Sequence, residues 1–128
     1  MEKRKQKAGS SVASFKRSDC PVACTLDLIG DRWSLLIVRD LLFGHTRYSE
    51  LQSAGEGIPT NILAQRLKHL EQAGIIERLP SSRPRSRYEY HLTESGRKLA
   101  PVLKAIAEWG RGEIKGTRAL PRQARSRK

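Results

Sequence analysis

Residues 48–74 read YSELQSAGEGIPTNILAQRLKHLEQAG, and residues 75–92 continue IIERLPSSRPRSRYEYHL. The first stretch carries two helical patterns separated by a glycine-bearing turn. A short helix over roughly 48–54 is anchored by Tyr48 and Leu51, and Gly55-Glu56-Gly57 turns the chain. Pro59 and Thr60 start a longer helix whose apolar stripe is Leu63, Leu67 and Leu70, the spacing of one helix face. It runs through Ala73 and stops at Gly74, a residue free to adopt the left-handed conformation that closes helices. Two helices joined this way make a helix-turn-helix. The period then changes. Ile75–Leu79 is a short apolar, β-branched run, and residues 80–86 have the Pro, Ser and Arg chemistry of a loop. In Arg87–Leu92, Tyr88, Tyr90 and Leu92 share one face while Arg87, Glu89 and His91 share the other. Two strands about that loop form a hairpin. A hairpin directly after the second helix is a wing, so the fold expected is mainly α with a small β-hairpin, a winged helix-turn-helix.

Upstream, Pro21 suits a first helical turn, and Val22, Leu26 and Ile29 follow at helical spacing until Gly30. Asp31 is positioned to cap a second helix in which Trp33, Leu36, Ile37 and Leu41 recur, with Gly44 at its end. Downstream, Thr93 caps a final helix with Glu94 in its first turn. Gly96 stands three residues after Thr93, so no complete capping box forms. Leu99, Val102, Leu103, Ile106 and Trp109 give this last helix a broad apolar stripe. Past Gly110 and Gly112 the chain is basic and irregular. The organisation expected is a mostly disordered basic arm over 1–19, one winged helix-turn-helix domain over 20–112, and a basic tail over 113–128.

A chain of 128 residues with 38% hydrophobic residues supports one modest core. Apolar runs such as Leu35–Val38 are far too short to span a bilayer. The initial Lys and Arg residues are not followed by an apolar stretch, unlike a secretory signal. A cytoplasmic protein without membrane contact is the expectation. The net charge of +12 is unevenly placed: residues 1–19 carry +4, residues 111–128 carry +6, and residues 20–110 only +2. Basic tails attract phosphate strongly at low salt but hold little sequence information. Cys20 and Cys24 are too few for a disulfide framework. They form no zinc-ligand set with the scattered His45, His69 and His91, so neither a metal nor a cofactor is expected.

The specific signals lie elsewhere. With Leu63, Leu67 and Leu70 facing inward, Asn61, Gln65, Lys68 and Gln72 project outward. Asn and Gln can pair bidentately with adenine, and Lys can reach guanine or a phosphate. Thr60, at the helix start, could help to hold a phosphate; Arg66 lies nearer the flank. In the wing, Arg83, Arg85 and Arg87 place three positive charges within five residues, a composition suited to phosphate or a narrow minor groove. Double-stranded DNA is the expected partner. No paired carboxylates, nucleophile–base set or phosphate loop suggests an enzyme.

These stretches bring a family into view. Cys20-Pro21-Val22, Leu28–Trp33 and Leu35–Leu42 resemble the opening of HxlR-type regulators. Arg47–Leu51 resembles that family's first helix-turn-helix element, and Gly57–Leu67 its recognition helix. Tyr88–Gly96, with Pro101-Val102-Leu103 and Trp109-Gly110, resembles its wing strand and last helix. The likeness runs in register over about 20–110. It implies a bacterial or archaeal regulator that binds a near-palindromic operator as a homodimer built from the first and last helices. Leu99, Leu103, Ile106 and Trp109 would then partly face the partner, in keeping with the two-fold symmetry by which dimers read paired half-sites. Some members sense oxidants or electrophiles through a cysteine just before the first helix. Cys20 matches that position, and a helix N-terminus near Lys16 and Arg17 favours a reactive thiolate; Cys24 reads as a small buried hydrophobe. Other members sense unidentified small-molecule effectors or nothing identified, and a plain structural or incidental cysteine is the alternative reading of Cys20. The alternative is a non-specific or architectural nucleic-acid binder driven by the tails, although such proteins usually spread charge over the folded face.

Overall fold

The computed structural model describes residues 18–54 and 56–119. The expected basic arm therefore lies almost wholly outside the described residues, as does the last part of the basic tail. Helix α1 (Pro21–Ile29) starts on Cys20, whose Sγ accepts the Ala23 N–H at 3.5 Å. Helix α2 (Ser34–Leu42) follows a turn in which the Asp31 carboxylate accepts the N–H groups of Trp33 and Ser34 and the Ser34 hydroxyl. Burial alone would raise the Asp31 pKa, yet those donors and the Arg66 charge hold it below the ordinary value. The capping role expected of Asp31 is thus present, three residues ahead of the first helical residue. Helices α3 (Tyr48–Gln52) and α4 (Thr60–Gln72) form the helix-turn-helix. Gly74 carries φ 81° just beyond α4, the left-handed geometry that favours glycine.

Strands β1 (Ile76–Pro80) and β2 (Tyr88–Leu92) pair antiparallel, from Ile76 opposite Leu92 to Pro80 opposite Tyr88. Midway along β2 the Tyr90 N–H donates to the Thr46 carbonyl at 2.8 Å, joining the strand to the segment before α3. The core lies beneath the helix-turn-helix. Ile37, Val38 and Leu41 from α2 meet Leu51, Leu63, Leu67 and Leu70, with Ile75, Ile76 and Leu92 closing it from the hairpin side.

The last helical region departs from expectation. In place of one helix, α5 (Glu94–Arg97) and α6 (Ala100–Glu113) are separated at Lys98 and Leu99. Pro101 has no N–H to return to the Arg97 carbonyl, so it interrupts a ladder but sits comfortably in a new first turn. Thr93 does cap α5, accepting the Gly96 N–H at 3.1 Å and donating to the Gly74 carbonyl at 2.7 Å. Gly96 is fixed by contact: a Cβ there would collide with the Ile75 carbonyl oxygen.

The terminal helices also divide their apolar residues unevenly. Leu103 is buried and Leu99 packs against the core, whereas Val102, Ile106 and Trp109 are exposed, Trp109 at 66%. On α1, Ile29 is buried while Val22 and Leu26 stand open to solvent. Among the described residues, no helix is long and apolar enough to cross a membrane.

Candidate nucleic-acid interface

Helix α4 sits on its own core face. Leu63, Leu67 and Leu70 are each at most 2% exposed, which fixes the rotation of the helix about its axis. The opposite face then presents Asn61, Gln65, Lys68 and Gln72 to solvent. Among the described residues, the side chains of Asn61, Gln65 and Lys68 have no hydrogen bond or ion pair, so their polar groups are available to an external partner.

Three tethers hold this helix in place. At its start the Tyr48 hydroxyl lies 2.8 Å from Thr60 Oγ1 and donates to the Thr60 carbonyl at 2.9 Å. Midway, Arg66 pairs with Asp31 at 3.8 Å. Near its end, His69 Nε2 lies 2.8 Å from the Leu28 carbonyl oxygen of α1. Arg66, placed at the flank by sequence, is thus turned toward the α1–α2 junction. From sequence, Tyr48 reads only as an apolar anchor. Its hydroxyl contact with Thr60 depends on how α3 crosses α4, which no local pattern reports.

The turn between α3 and α4 is tied to α2. Arg39 donates from Nε to Asp40 at 2.9 Å and from Nη1 to Glu56 at 3.3 Å. Asp40 is buried, and that burial raises its pKa despite the neighbouring guanidinium. Neither residue stood out in the sequence, where an adjacent Arg–Asp pair looks like ordinary surface charge.

The three wing arginines are not equivalent. Arg85 and Arg87 are exposed and have no ion pair among the described residues. Arg85 occupies the third position of a turn closed by the Ser86 N–H donating to the Arg83 carbonyl, with Pro84 second and φ 63° at Arg85 itself. Proline followed by a positive φ is the type II signature, a position that favours glycine. Arg83 instead points back into the protein. It donates from Nε to Glu89 at 3.1 Å and from Nη2 to Thr46 Oγ1 at 2.9 Å, and its Nη1 lies 3.7 Å from Glu50.

Cys20 is exposed and Cys24 half-buried, its thiol donating to the Ser18 carbonyl at 3.1 Å. Lys16 and Arg17 lie outside the described residues. Among the described residues, no cluster of three or more His, Cys, Asp or Glu side chains could hold a metal ion.

A family model described as HxlR-like helix-turn-helix matches residues 28–117. An HTH-type transcriptional regulator of Mycobacterium bovis is 40% identical over 89 residues, 70% of this chain and 56% of that protein. The matched region thus spans about half the length of that relative. The solved structure of PA1607 superposes with a TM-score of 0.72 at 39% identity, over 83% of this chain and 82% of its own. The redox regulator HypR in its reduced form gives 0.67 at 32% identity, over 75% and 95%.

Proposed function

Because the chain belongs to the HxlR-like helix-turn-helix family, we infer that it is a DNA-binding transcriptional regulator that reads a near-palindromic operator as a homodimer. The observation that carries this reading is the outer face of α4. Asn61, Gln65 and Lys68 are exposed and unpartnered among the described residues, on a helix whose inner face is fully buried. A helix so presented enters a major groove, with Asn61 and Gln65 reading base edges and Lys68 reaching guanine or phosphate. Thr60 and the first-turn N–H groups meet the backbone at the groove edge. Arg85 and Arg87 contact phosphates or the adjoining minor groove. Arg83 contributes through the posture of the loop that carries them.

The dimer seam draws on the apolar residues that α1 and α6 leave uncovered. Ile106 and Trp109 face it together with Val102, and Leu99 and Leu103 support it from beneath. Trp109→Asp is expected to convert a dimer to monomer in sedimentation and to leave the helix content unchanged. Cys20 is the candidate for thiol-based regulation, because its exposed sulfur caps α1 and oxidation would alter that cap. DNA affinity unchanged by diamide would remove this part of the reading.

Selection of bound duplexes from a random pool tests the whole. An inverted repeat, with half-sites about one helical turn apart, is the expected result. Recovery of no motif would favour non-specific binding driven by the basic tails.

A further inference from the structure

The polar side chains between the wing and α3 form a continuous chain of contacts. Ser81 Oγ donates to Glu89 Oε2 at 2.9 Å, and Arg83 Nε donates to the same oxygen at 3.1 Å. The Arg83 backbone N–H donates to Ser81 Oγ at 3.0 Å. Glu89 Oε1 lies 3.1 Å from His91 Nε2. From the other side of Arg83, Nη2 reaches Thr46 Oγ1 and Nη1 faces Glu50. Glu50 in turn accepts the N–H groups of Thr46 and Arg47 at 2.9 and 3.0 Å. These donors hold its carboxyl below the usual range although burial pushes it up. The Glu89 carboxyl is also depressed, chiefly by the Arg83 hydrogen bond. One guanidinium therefore links both ends of the wing loop to the segment that starts α3. A planar fork with several fixed donors can bridge three acceptors in this way, whereas a lysine ammonium on a flexible stem cannot hold the same geometry.

We propose that Arg83 is a positioning residue, which with Glu89 clamps the wing loop onto Thr46 and Glu50 so that Arg85 and Arg87 meet DNA already in place. This rests on the DNA-binding role of the wing inferred above. The clamp makes a prediction opposite in sign to that of simple charge. Glu89 is an anion close to the DNA-facing loop, and removing it would strengthen attraction for phosphate if it had no other role. A loop that must be immobilised on binding costs affinity instead.

The test uses the full chain and mixed-sequence duplex DNA at low salt, so it does not depend on an operator being found. Wild type, Arg83→Met, Glu89→Gln and the double variant are compared for affinity, for melting temperature, and for backbone ¹⁵N order of residues 82–87 in the free protein. The expected result is that Glu89→Gln weakens binding about three- to tenfold, the size of one partly exposed charged hydrogen bond. The double variant should bind no worse than Arg83→Met, and loop order should fall with at most a small drop in melting temperature. Equal or tighter binding by Glu89→Gln, additive losses in the double variant, or unchanged loop order would overturn the proposal. Failure of the wild-type chain to bind any duplex would instead count against the proposed function, and the order measurement would still decide the clamp.

Discussion

Helix α4 and the wing both present cationic and polar groups to solvent, but they are supported by different forces. Beneath Asn61, Gln65 and Lys68 lies a floor of leucines, and α4 is oriented by burial. Beneath Arg85 and Arg87 lies a hairpin exposed along β1 and half-buried along β2, and the loop is held by an ion-paired guanidinium. Hydrophobic burial responds little to acid or to moderate ionic strength, whereas charged hydrogen bonds at partly exposed sites respond to both. On the proposed reading, the surface that specifies sequence is the one held by burial, and the surface that adds affinity is the one held by charge.

Removing the floor of α4 should have the largest consequence. Leu67→Ala, at a site only 2% exposed, is expected to cost about 3 kcal/mol of stability, read by denaturant unfolding. A loss well under 1 kcal/mol would mean that α4 is held by its tethers and not by its leucines. Next in size is Arg85→Gly. Glycine relieves a left-handed residue at φ 63°, so stability should be unchanged or raised by roughly 0.5 kcal/mol. DNA affinity should fall at the same time, and its dependence on log salt should flatten by about 0.9 for one lost phosphate contact. Destabilisation in parallel with weakened binding would show that Arg85 shapes the wing instead of contacting DNA.

The legibility of the two regions differs for the same reason that their support differs. The α4 stripe at Leu63, Leu67 and Leu70 and the alternation of Tyr88, Tyr90 and Leu92 are local periodicities, so the helix-turn-helix and its hairpin could be read directly. The polar face of α4 follows from the stripe by geometry alone. The division of labour among Arg83, Arg85 and Arg87 does not, because Arg83 is turned inward partly by Thr46, 37 residues away. Pro101 is a local signal for the break before α6, but the apolar stripe continues through it and masks the signal. The stripe itself mixed two roles. Leu99 and Leu103 serve the chain's own core while Ile106 and Trp109 do not, a difference set by where α6 leaves α2.

The smallest effect expected is one of pH. Glu50 and Glu89 have lowered pKa values in the folded protein, so their contribution is complete above the ordinary carboxylate range. It is lost as pH falls through the lowered values. Amide protection in residues 81–87 should decline on acidification before that of α4, and Glu89→Gln should diminish this dependence. Simultaneous loss in both regions would place the wing and helix in a single cooperative unit.

The most direct measurement compares Gln65→Ala with Arg87→Ala against a complete set of single-base variants of the selected operator. The expectation is that Gln65→Ala abolishes discrimination at one base pair of each half-site, a change of about 1–3 kcal/mol there. Arg87→Ala should weaken every sequence by a similar factor. A uniform loss for Gln65→Ala, with discrimination intact at all positions, would contradict the assignment of sequence reading to the outer face of α4.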